Sequence, residues 1–169
     1  NHPYGSSWDQ SGSIGFANYV NMPHRRRYYF GYGLSYTEFE YSDLNISAAE
    51  VSADESVQIS FDVKNTGEYA GTETVQLYLI DQYSSLTRPV KELAGFRRVS
   101  LKAGESKKII FEIKPDQMAF LDIDMRWKVE KGEFDVEVGS SSEDIRLTGK
   151  YRVKNNKWID PQKRTFWIE

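Results

Sequence analysis

Cysteine is missing from all 169 residues. Disulfide scaffolds, zinc–thiolate sites and thiol nucleophiles are thereby excluded, and the absence fits a reducing compartment such as the cytoplasm. The two histidines, His2 and His24, are too far apart in sequence for a His-x-x-x-His zinc pair. No apolar run approaches the roughly 20 residues that cross a bilayer. The chain also lacks an excess of positive charge: its net charge of −3 gives no long-range attraction for nucleic acid or an anionic membrane. No sustained helical period supports βαβ units. Neither an initiator methionine nor a leader precedes Asn1-His-Pro, so the chain is expected to be a piece of a longer protein.

What the sequence does have is a globular composition, with 39% hydrophobic and 28% charged residues. At this length a fold can bury roughly 70% of its unfolded surface. The aromatic share of 14% comes mostly from Tyr and Phe, which favour pleated surfaces.

Residues 1–36 are rich in Gly, Ser, Asn, Tyr and Pro and show no period, which predicts an extended linker from a preceding domain. Its large apolar groups, among them Trp8, Ile14, Phe16, Tyr28, Tyr29 and Phe30, are too many for a solvated tail. From 37 to 154 the pattern is one of short strands. Val57, Ile59, Phe61 and Val63 alternate with Ser56, Gln58, Ser60 and Asp62, and Asn65-Thr66-Gly67 follows as a turn whose Asn and Gly tolerate positive φ. Val75, Leu77 and Leu79 share one strand face; Thr74, Gln76 and Tyr78 share the other. A polar loop broken by Arg88-Pro89 leads to a strand from about Val90, with Phe96, Val99 and Leu101 apolar. Ile109, Phe111 and Ile113 alternate with polar neighbours, and Gln117 to Leu121 is expected to form one helical turn. Trp127 and Val129 pair in expectation with Phe134, Val136 and Val138 as a hairpin about Lys131-Gly132, and Ile145, Leu147, Tyr151 and Val153 supply a last strand. About seven short strands predict an all-β sandwich of fibronectin type III or immunoglobulin style, and the missing Cys pair favours the former. The tail, 155–169, carries Trp158, Phe166 and Trp167, enough to dock on a partner or on the sandwich.

Chemistry is sparse. Asp122 and Asp124 on one face lack a third ligand at a recognisable spacing, so an acidic solvated surface is the better reading than a cation site. Gly31-Tyr-Gly33 lacks the remaining parts of a phosphate loop. No nucleophile elbow is present, and no cofactor motif stands out. Arg25-Arg-Arg27 beside Tyr28 and Tyr29 reads as a domain-facing or solvated corner more readily than as a nucleic-acid site. The Asn45-Ile46-Ser47 triplet is a sequon of the kind that recurs by chance. Tyr83, Trp8 and Tyr32 are candidates to stack on sugar rings or to face another domain, and Arg88 joins them as a charged loop residue.

Three motifs then carry a resemblance. Phe30-Gly-Tyr-Gly-Leu-Ser-Tyr-Thr37, then Val75-Gln-Leu-Tyr78 with Thr87-Arg-Pro-Val-Lys-Glu-Leu-Ala-Gly-Phe96, and the turn Lys102-Ala-Gly-Glu-Ser106 resemble, in order, the signatures of the C-terminal fibronectin type III-like domain of glycoside hydrolase family 3. The resemblance covers about residues 1–154. In that family the nucleophilic Asp lies in a (β/α)-barrel and the acid/base usually in or near the following α/β domain; neither motif is present, so no catalytic residue carries over. The resemblance implies a parent that is a retaining exo-β-glycosidase, of which this chain is a non-catalytic module. Its partners would be the barrel and α/β-sandwich domains, which it stabilises and whose pocket rim it lines. The alternative is a carbohydrate-binding module that tethers the enzyme to oligo- or polysaccharide. Cut from its neighbours, the chain is expected to self-associate through its linker aromatics.

Overall fold

The computed structural model describes residues 27–163. Trp8, both histidines, Arg25, Arg26, Phe166 and Trp167 lie outside them. The described residues form strands and two short 3₁₀ turns, in an all-β fold. β1 (Phe39–Ile46), β3 (Val57–Asn65) and β6 (Ser106–Ile113) make one antiparallel sheet in the order β1-β3-β6. A five-stranded sheet follows the order β2 (Glu50–Val51), β10 (Ile145–Val153), β9 (Gly132–Gly139), β4 (Gly71–Asp81), β5 (Glu92–Leu101). β2 runs parallel to β10, and the other pairs are antiparallel.

Period-two alternation places the core. In β3 and β6 every second residue, Val57, Ile59, Phe61 and Val63 then Ile109, Phe111 and Ile113, is buried, because only one face of that sheet meets the opposing layer. Phe61 stacks between Tyr41 and Phe111, each ring centroid 6.1 Å away. Across the core, Phe134 stacks on Tyr151 at 5.6 Å. Val75, Leu77 and Leu79 of β4 join the same cluster.

Several local expectations change. Trp127–Val129 forms β8, but it does not pair with β9. It lies between β7 (Phe120–Leu121) and β11 (Lys157–Trp158) in a small third sheet. Lys131-Gly132 is therefore a crossing between sheets, and the strands it joins find partners elsewhere. The helical turn spans Pro115–Met118, two residues early, where Pro supplies a fixed φ. The strand expected from Val90 begins at Glu92. Phe96 pairs with Gln76 in unbroken register with Val99 and Leu101 but at the opposite parity, so it lies on the outer face, about half exposed, instead of entering the core. A bulge between Leu77↔Gly95 and Tyr78↔Leu93 then inserts Ala94 and puts Leu93 opposite Tyr78 on that same face.

The Asn65-Thr66-Gly67 turn works by other means than positive φ, since neither Asn65 nor Gly67 adopts it. Asn65 is fully buried. Its amide donates to the carbonyls of Tyr69 (2.7 Å) and Leu101 (3.2 Å), and its carbonyl oxygen accepts from the Thr37 hydroxyl (2.6 Å) and the Gly67 amide (3.1 Å). A buried polar side chain with all four bonds made is a strut. Gly104 does take positive φ, +75°, in the Lys102–Ser106 turn.

Candidate docking interface

The loop 82–91 between β4 and β5 is longer than the two to five residues of an ordinary hairpin. Two cations hold its shape. The Arg88 guanidinium bonds Asp81 at 2.8 Å and Glu92 at 2.6 Å, reaches the Met118 carbonyl at 3.3 Å, and sits 5.1 Å from the Phe120 ring centroid. Arg88 and Asp81 side chains are only 9% and 4% exposed. Lys91 bonds Glu137 at 2.5 Å and the Ser142 carbonyl at 2.9 Å, with its ammonium 5.7 Å from the Tyr78 ring centroid. Paired charges withdrawn from water fix a geometry more surely than they add stability.

The segment leading into β1 lies over the outer face of β4. Phe30 accepts a hydrogen bond from the Ser142 amide (2.9 Å), and Gly31 accepts one from the Gln76 side chain (3.1 Å). Around this seam apolar side chains remain exposed: Phe30, Tyr32, Val90, Leu93 and Phe96. They line two adjoining open grooves of about 770 and 680 Å³ that share Phe30 and Leu93. Single exposed apolar residues are ordinary, but a contiguous set marks a contact surface.

At the far side of the larger groove Tyr41 donates to the Glu73 carboxylate (3.2 Å). Burial, and then the neighbouring Glu73 charge, push the Tyr41 phenol far above its usual range, and burial raises the Glu73 carboxyl despite the Tyr41 bond. Asp144, bonded by Arg146, is held below the usual carboxylate range. The carboxylates singled out by sequence prove structural: Asp122 Oδ1 accepts from the Asp124 and Arg126 amides in a turn, and Asp124 pairs with Arg126. Asp54 pairs with Lys157.

Of the four candidates, Tyr83 is 80% exposed near the start of the loop 82–91, its amide bonded to Asp81, and Tyr32 is 49% exposed on the apolar face. Arg88 points inward, so it shapes the loop and presents no charge to a partner. Trp8 lies outside the described residues. Sequence reasoning missed Gln76, Lys91 and Ser142, which knit the face together. Its alternation put Gln76 on a polar outer face, and nothing local signals that the chain folds back to cover it.

Comparison with known proteins bears on the same residues. The fibronectin type III-like domain family matches residues 73–142, which run from β4 through the loop 82–91 to the β9–β10 turn. A β-glucosidase of Bacteroides ovatus is 45% identical over 136 residues, and a putative β-xylosidase of Formosa agariphila 44% over 130. The solved β-glucosidase 3B of Thermotoga neapolitana, in complex with α-D-glucose, superposes with a TM-score of 0.74 at 38% identity over 80% of this chain. A β-glucosidase of Bifidobacterium adolescentis, described as a family 3 glycoside hydrolase, does so at 0.70 and 38% over 75%. The chain carries the fibronectin type III-like domain of glycoside hydrolase family 3. The two curated matches cover 80% and 77% of this chain, which spans only 18% and 17% of those relatives. In the two solved structures it spans 18% of each chain.

Proposed function

We propose that this domain is the non-catalytic module of a family 3 β-glycosidase and that it stabilises the catalytic domains by docking on them through the face around Phe30, Tyr32, Val90, Leu93 and Phe96. One observation carries the reading: a rigidly held, contiguous apolar face is left open in a chain that spans under a fifth of its curated relatives. The arriving segment crosses this face and the docking loop borders it. That is the expected geometry if the rest of the protein packs there. The parent enzyme would release terminal β-D-glycosyl residues, as the names of the relatives suggest, with its acid, base and nucleophile outside these 169 residues. The exposed Tyr83 ring and the loop 82–91 that follows then lie toward the pocket rim.

Mixing or co-expressing the domain with the missing barrel and α/β domains tests this. A complex with a raised melting temperature is expected; no complex and no gain in stability would refute it. An aryl-β-glucoside assay of the domain alone should stay at the buffer rate. A second reading, tethering to polysaccharide, rests on the open ring of Tyr83; a flat glucan titration at millimolar sugar is the outcome expected under the docking reading.

A further inference from the structure

Gly31 and Gln76 belong to two separate sequence motifs, yet the fold brings them into direct contact. Gln76 is 3% exposed on the outer side of β4. Its amide nitrogen donates to the Gly31 carbonyl (3.1 Å) and the Ser140 carbonyl (2.5 Å), and its oxygen accepts from the Tyr78 hydroxyl (2.5 Å). Every polar atom of the side chain is thus used, on partners from three different segments. Gly31 has φ +78°, and a methyl added there would overlap the Gln76 amide. Ser142, whose amide holds the Phe30 carbonyl, is itself bonded through its own carbonyl by Lys91, which lies over the Tyr78 ring. The result is a closed ring of bonds from the arriving chain to β4, the docking loop and the β9–β10 turn.

We propose that Gln76 is a positioning residue: it locks the arriving chain at Phe30–Gly31 onto the sheet, and so sets where Phe30 and Tyr32 stand in the docking face. The purpose rests on the docking reading above; the lock itself rests only on the contacts. A left-handed glycine is needed at position 31 because the carbonyl must turn toward Gln76 while the backbone comes within reach of its amide. Valine or leucine at position 76 would fill the space and leave the Gly31 and Ser140 carbonyls without the side-chain donor they share.

Hydrogen exchange on the 169-residue chain reads the lock directly. The Ser142 amide is the reporter, and amides of β3 and β6 on the opposite sheet are the control. In Gln76→Leu, Ser142 exchange is expected to accelerate by about tenfold or more, the scale set by losing two hydrogen bonds, with the control amides unchanged. Gly31→Ala should do the same. In a Gln76→Ala background the added methyl has room, so Gly31→Ala should cost less there than in the wild-type chain. Unchanged Ser142 exchange in Gln76→Leu, acceleration spread equally over β3 and β6, or additive effects of the Gly31 and Gln76 substitutions would overturn the lock. Failure of the catalytic domains to bind would remove the docking reading and leave this exchange result standing.

Discussion

Glu73 shows how a single buried carboxyl sets a pH dependence. Its folded pKa is raised chiefly by burial, so the folded state holds the proton more tightly than the unfolded chain. Stability therefore falls as pH rises through the window between the ordinary glutamate value and the raised one, and the penalty is complete above it. Glu73→Gln keeps an acceptor for Tyr41 and removes the charge; the melting temperature should rise at neutral pH, with the gain vanishing in acid. Asp144 behaves oppositely. Its carboxyl is lowered first by the Arg146 hydrogen bond, so its contribution is present above the ordinary aspartate range and is lost as pH falls through the folded value. Asn65 tests a neutral group: Asn65→Ala strands the Tyr69 and Leu101 carbonyls, the Thr37 hydroxyl and the Gly67 amide. Urea unfolding should show a loss of about 3 kcal/mol.

Among the elements, the loop 82–91 depends on the buried Arg88–Asp81 pair. Arg88→Met leaves the 4%-exposed Asp81 carboxylate unpaired, and should destabilise by about 3–5 kcal/mol. The double variant Arg88→Met/Asp81→Leu should recover most of that in denaturant unfolding, because it removes both charges together. How far the elements were legible follows from where their partners lie. β3 and β6 declare themselves, since one sheet face is buried and the period is unbroken. β4 does not, because Gln76 and Tyr78 look solvent-facing until the segment around Phe30–Gly31 covers them. Phe96 reads as core only if its parity, opposite to that of Val99 and Leu101, is ignored. The β8–β9 pairing looked like a hairpin because its strands are adjacent in sequence, but the pairing is decided by β7 and by Lys157–Trp158 from the tail. There the Trp158 ring lies 4.0 Å under the Arg126 guanidinium, a contact with no local signal. Tyr83 and Tyr32 were found as exposed aromatics; Arg88, equally polar in sequence, turned inward because two carboxylates and Phe120 await it.

For the whole molecule, the open apolar face is the property that unites the observations. Cut from its neighbours, the domain should associate with itself at high concentration through that face. Light scattering should show mass rising with concentration, and Leu93→Ser/Phe96→Ser should restore a monomer; a clean monomer throughout would count against the face being sticky enough to dock. The β-sandwich was evident from strand spacing, and the family from three motifs in order. The open apolar face was visible only as an excess of aromatics, because its geometry depends on residues far apart in sequence, such as Gly31 and Gln76. The most direct test is to mix the purified domain with the barrel and α/β domains expressed without it, and to measure complex formation and the melting temperature of those domains. A one-to-one complex and a raised melting temperature, both abolished by Leu93→Ser/Phe96→Ser, are the predicted result; absence of a complex together with an unchanged melting temperature would contradict it.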